Sequence, residues 1–154
     1  MLGQIILGSL FLMGCCMLHV TVLFFAAPAT IRAILLLGVR RGHGRRLLLL
    51  GGMLGAIILA HTLQIWIWAA YWLAKDALPD LNEAVYFSIV TYTTLGYGDI
   101  VLGPDYRIVA TFAAITGLLA FAISTAFLIG LVTRMMPEPD FGDPDLQRQS
   151  RKPR

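Results

Sequence analysis

Three long apolar stretches, separated by two polar segments, set the pattern of this chain. No Asp, Glu, Lys or Arg occurs in residues 1–31, 47–74 or 108–133. At about 1.5 Å per helical residue, each stretch can cross a hydrocarbon core of roughly 30 Å. The pattern predicts membrane helices over about 2–27, 47–74 and about 106–134. Pro28 is expected to break or kink the first of them, leaving residues 30–37 as a short interfacial helix. The tail, 137–154, is rich in Pro, Asp, Arg and Gln and is expected to be disordered. Three segments follow: an N-terminal helix with a basic connector (1–46), a central unit (47–136) and the tail (137–154).

The first apolar run is longer than a signal-peptide core of about 7–15 residues, and no basic residue precedes it, so a retained membrane helix is expected. Between Arg32 and Arg46 lie five arginines and no acid. Short basic connectors of this kind stay in the cytoplasm. The second helix then runs outward, and its Trp66, Trp68, Tyr71 and Trp72 are expected in the outer headgroup belt. The third returns inward, which leaves the C-terminus cytoplasmic and the N-terminus outside, a multi-pass arrangement in the cell membrane.

Composition agrees. The 154 residues are 58% hydrophobic and 14% charged, with a mean hydropathy of +0.76; a soluble domain carries roughly a quarter charged residues. A water-soluble enzyme and a nucleic-acid-binding module are excluded, and the net charge of +3 reflects arginines parked beside membrane helices. No span holds an acid pair or a His-rich cluster, so no catalytic residue is assigned, and neither a cofactor nor a soluble substrate is expected. Cys15 and Cys16 are adjacent within the first stretch and read as small packing residues. His19, His61 and Gln64 are polar groups inside spans. Such histidines more often satisfy an interhelical hydrogen bond than serve a pH sensor, for which the sequence offers no support.

The chemistry lies between the last two spans. Asp80 is placed to cap a helix, and Glu83 three residues later gives a variant of the capping box. A helix over about 81–93 spans only about 18–20 Å and is too short to cross. It can enter the membrane and stop halfway only where protein or a watery cavity surrounds it. After it comes Thr94-Leu95-Gly96-Tyr97-Gly98-Asp99. A chain whose successive carbonyls face one axis must alternate ordinary and mirror-image dihedrals, and Gly96 and Gly98 adopt positive φ without a Cβ penalty. The C-terminal end of the short helix carries partial negative charge that favours a cation. Residues 75–107 contain five acids against two bases, a net negative mouth that concentrates cations.

Thr94 to Asp99 resembles the selectivity filter of the potassium channel family, whose pattern has valine where Leu95 stands. The resemblance covers about 47–133. It implies an all-α membrane protein, three membrane helices plus a re-entrant pore helix and filter (94–99), in a fourfold assembly in the lipid bilayer. It implies a homotetramer conducting potassium passively, the permeant ion held by the carbonyls of Thr94, Leu95, Gly96 and Tyr97 and the Thr94 hydroxyl. Tyr97 points away from the pore as a packed cuff. A carboxylate that braces the filter in some members is replaced by Val90. Tyr86 takes the place of an aromatic that can bond the post-filter aspartate, which pairs it with Asp99.

In the last span, Ala110, Ala113, Ala114, Gly117 and Ala120 permit close helix contact. By the same resemblance Gly117 stands about where the family places a hinge glycine; packing alone is the competing reading. Leu118, Phe121, Thr125 and Ile129 then share a pore-facing stripe, with Ile129 placed to close the pore by dewetting. No span carries the repeated arginines of a voltage sensor. The alternative is a non-conducting accessory subunit of another channel, which would have no need to retain Gly96 and Gly98.

Overall fold

The computed structural model describes residues 1–38 and 42–135; the expected tail and Arg40 and Arg41 of the connector lie outside the described residues. Among these residues the chain forms four helices and no strand: α1 Leu2–Leu36, α2 His43–Ala74, α3 Leu81–Tyr92 and α4 Pro104–Met135. Three of them, α1, α2 and α4, are long and apolar enough to cross a membrane.

The first helix differs from expectation. It runs unbroken through Pro28 to Leu36, so no separate interfacial helix forms. A proline removes one backbone bond, and a helix packed in the membrane tolerates that loss. α1 packs along both α2 and α4, and the flank of this proline is held by Thr30 against Gly52 of α2, where any Cβ would strike the threonine side chain. The helix stops at Leu37, followed by Gly38 at φ +64°, a left-handed C-terminal residue of the usual kind.

α2 begins earlier than the apolar run, taking His43, Arg45 and Arg46 into its first turn. It ends in a Schellman motif: Ala77 N–H donates to the Trp72 carbonyl at 2.9 Å and Asp76 N–H to that of Leu73 at 3.0 Å. The left-handed position is taken by Asp76 rather than glycine, at φ 50°. The Tyr106 hydroxyl donates to the Lys75 carbonyl at 2.9 Å and so ties the start of α4 to the end of α2. Pro104 occupies the first turn of α4, where its missing N–H costs nothing.

The core sits at this end of the bundle. Trp68 and Trp72 stack with centroids 5.6 Å apart, Phe11 of α1 lies 5.3 Å from Trp68, and Phe87 of α3 lies 5.6 Å from Trp72. Trp68, Tyr71 and Trp72 are therefore buried packing residues, and among the expected belt aromatics only Trp66 is exposed. The correction follows from α1 and α3: both need large partners, and the aromatic face of α2 supplies them.

Direction follows from the contacts. Gly8 abuts Phe112, and Thr30 abuts Gly52, so α1 runs parallel to α4 and antiparallel to α2. Met1 and Gln4 share a recess with Lys75, Asp105 and Tyr106. Arg45, Arg46 and Met135 line another recess at the opposite end. The N-terminus thus lies on the side of the 93–103 loop, and the arginine-bearing end lies on the other.

Candidate functional site

α3 begins where Asp80 caps it: the carboxylate accepts the Glu83 N–H at 2.9 Å, one half of the expected capping box. Its 12 residues reach about 18 Å at the ordinary helical rise. Ala84, Phe87, Ser88 and Val90 are buried against the rest of the chain. Val90, the residue at the buttress position, uses its carbonyl instead: it accepts the N–H of Leu95 at 3.0 Å and that of Gly96 at 3.3 Å. The Thr93 hydroxyl donates to the Ile89 carbonyl at 2.7 Å. These bonds fold the chain sharply back over the end of α3.

Beyond that turn the backbone alternates. φ is +55° at Gly96 and +81° at Gly98, and it is also positive, 61°, at Thr94; Leu95 and Tyr97 between them keep negative values. Three left-handed residues at alternate positions are the pattern that turns successive peptide groups the same way. Thr94 was not anticipated in this role, because a β-branched residue rarely adopts positive φ. No side-chain identity signals it. Only the period of two from Gly96 and Gly98, extended backwards, would have.

Leu95 and Tyr97 are 56% and 68% exposed. A recess of about 370 Å³ opens beside this segment, lined by Phe87, Thr91, Thr94, Gly96, Leu102 and Ala110. Tyr86 and Asp99 are brought together at the mouth, the tyrosine hydroxyl donating to the carboxylate at 2.5 Å. That bond, with a second from the Ile100 N–H at 3.0 Å, holds the Asp99 carboxyl below its ordinary range and raises the Tyr86 phenol above its own. Hydrogen bonds to the charged form favour it.

On α4, Ala113, Gly117 and Ala120 face inward and are buried. A Cβ at Gly117 would run into the Tyr92 carbonyl oxygen, so the glycine lets α4 approach the last turn of α3 at backbone distance. α4 is continuous through it. Leu118, Phe121, Thr125 and Ile129 are exposed on the opposite flank. Phe121 also reaches across to stack on His61, with centroids 4.4 Å apart.

Below the end of α3 lies a polar cluster drawn from all four helices. His19 Nε2 and Ser124 Oγ are 2.8 Å apart, and Gln64 Nε2 lies 2.8 Å from His19 Nδ1. His61 Nδ1 is 2.8 Å from the Tyr92 hydroxyl, which donates to Gln64 Oε1 at 3.3 Å. Ser124 Oγ and His61 Nε2, 3.3 Å apart, complete a ring. His19, Gln64, Tyr92 and Ser124 are buried. The expected interhelical hydrogen bonds of His19, His61 and Gln64 are therefore present, while nothing in the residue pattern marks their partners Tyr92 and Ser124.

A family model described as an ion channel matches residues 57–134, half of the chain, and the chain belongs to that ion channel family. Comparison with curated proteins and with solved structures returns no match. The matched segment begins inside α2 and takes in α3, the alternating 94–98 segment and nearly all of α4. The protein is thus a membrane protein of ion-channel type with an additional helix, α1, packed on the channel unit.

Proposed function

We propose that four copies of this chain form a potassium-selective channel, with Thr94 to Gly98 of each lining a shared axis. One observation carries the reading: φ is positive at the alternate positions Thr94, Gly96 and Gly98, directly after a half-length helix whose C-terminal end leads into them. Carbonyls turned one way by that alternation replace the water shell of a dehydrated cation, and the helix end adds favourable potential. A single chain supplies one wall. The exposed Leu95 and Tyr97 and the open recess beside them support a site completed by neighbouring copies.

In this reading the filter and N-terminus face outward, and the arginine-bearing end faces the cytoplasm. Asp99, held by Tyr86, keeps negative charge at the mouth. Leu118, Phe121, Thr125 and Ile129 line the inner pathway, where Ile129 narrows it, and Gly117 is the point at which α4 bends. Transport is passive. In liposomes, the purified protein should pass potassium far faster than sodium, and barium should block it. Gly96→Asp should abolish flux. Equal rates for the two ions would remove the selectivity claim, and no flux under any gradient would favour a non-conducting accessory subunit.

A further inference from the structure

The polar ring is closed, and its proton inventory is complete. Taken in order, the Gln64 amide N–H donates to His19 Nδ1, and His19 Nε2–H donates to Ser124 Oγ. The Ser124 hydroxyl donates to His61 Nε2, and His61 Nδ1–H donates to the Tyr92 oxygen. Tyr92 O–H donates to Gln64 Oε1 and closes the circle. Both imidazoles are neutral in this order, and they must be opposite tautomers, because each passes the bond direction from one nitrogen to the other. Five groups use five donated protons and five acceptors.

A sixth proton has no acceptor within the ring. On His19 Nδ1 it would face the Gln64 amide N–H. Turning the amide over accommodates it but leaves the Tyr92 hydroxyl without an acceptor. On His61 Nε2 it would face Ser124, whose hydroxyl would then have to leave the ring for its own helix backbone. Among the described residues no counter-charge is at hand. The groups facing His19 are Gln64 and His61 on α2 and Ser124 on α4; those facing His61 are His19, Tyr92, Ser124 and the Phe121 ring, and Cys15 and Cys16 of α1 lie near Tyr92. None is a carboxylate, and α1, α2 and α4 carry no Asp or Glu within 1–31, 47–74 or 108–133. A buried cation without a partner is costly.

Location gives the ring its consequence. Tyr92 is the last residue of α3, two positions before Thr94, and its side chain is the member through which α1, α2 and α4 hold that end. His19 lies outside the segment matched by the ion-channel family, so α1 takes part in setting the pore. We propose that the His19–Gln64–Tyr92–His61–Ser124 ring is a brace that positions the end of the pore helix, and that acid opens it and lowers conduction. The proposal rests on the channel reading given above, with His19 and His61 as positioning residues that touch no ion.

The test is potassium flux from liposomes holding the full chain, compared at about pH 7.5 and about pH 4.5, on either side of the ordinary imidazole range. Wild type should lose about tenfold or more across that interval, one decade being about 1.4 kcal/mol. The double variant His19→Gln/His61→Gln keeps donors and acceptors but cannot gain a proton there, and should lose less than about twofold. A double variant that falls as wild type does, or a wild type that stays level, overturns the proposal. Absence of wild-type flux at neutral pH removes the channel reading instead. The ring is then decided by the imidazole nitrogen resonances of the same preparation: His19 protonated on Nε2 and His61 on Nδ1 supports it, and two like tautomers overturn it.

Discussion

The alternating segment and the polar ring meet at Tyr92, two positions before Thr94, yet they satisfy their polar groups in opposite ways. Thr94 to Gly98 exposes its flanking side chains and holds a threonine in a left-handed conformation. On the channel reading proposed above, one chain supplies a single wall. The ring, in contrast, takes one or two members from each of four helices and closes on itself. On the same reading, neighbouring copies complete the site at this segment, whereas the ring asks nothing of a neighbour. Membrane helices gain no hydrophobic driving force from meeting one another, so close packing and hydrogen bonds must hold them. Each chain can therefore fold its own support before the shared path exists.

The sharpest break in this division should come at the joint between the two regions. Gly117→Val would drive a side chain into the Tyr92 backbone, and overpacking of this kind typically costs about 1–3 kcal/mol or more. Thermal unfolding in detergent should show the loss, and little assembled protein should survive. Gly55→Ala in α2 is the control: nothing lies within 4 Å of its added Cβ, and removing a helical glycine should gain about 0.5–1 kcal/mol. If Gly117 serves only as a hinge, with packing unimportant, Gly117→Ala should leave stability level and change gating alone. The geometry favours the opposite.

Next in size is Tyr92→Phe. It leaves His61 Nδ1 and Gln64 Oε1 without their shared hydroxyl, and an unsatisfied buried group costs about 1–3 kcal/mol. Stability should fall without loss of the fold. Gly98→Ala should differ from it in flux rather than in stability. Its added Cβ meets nothing within 4 Å, so the penalty is the left-handed backbone, about 1–2 kcal/mol, while potassium flux should collapse. Equal loss of flux in the two variants would erase the distinction between support and path.

Much of this was legible beforehand, for definite reasons. Charge-free runs located the three long helices, and Asp80 with Glu83 located the start of α3. Gly96 and Gly98 marked two of the three left-handed positions because glycine is the residue that the conformation favours. The ring was only half visible. His19, His61 and Gln64 stand out as polar residues in apolar runs, but Tyr92 and Ser124 are ordinary in a pore helix and an inner helix. Joining them requires the relative depth and direction of four helices, which no single-helix periodicity contains. For the same reason Trp68 and Trp72 read as a membrane belt until α1 and α3 were seen to cover them, and Pro28 read as a break because local rules do not include its packed neighbours.

The smallest expected effect lies at the outer mouth, on a pair that is open to solvent. Asp99 accepts from Tyr86, and its pKa is lowered chiefly by that bond. A carboxyl depressed in the folded state contributes stability above its ordinary range, and this is lost as pH falls through the lowered value. Since the pair is solvent-exposed, the stability change should be slight; the clearer readout is charge. Tyr86→Phe should let Asp99 take up its proton at a higher pH, moving part of the acid response of flux upward when only the filter side is acidified. Asp99→Asn should abolish that part altogether while leaving the ring's tautomers unchanged. An Asp99→Asn channel whose imidazole resonances shift would join the mouth to the ring, and the two regions would then have to be treated as one device.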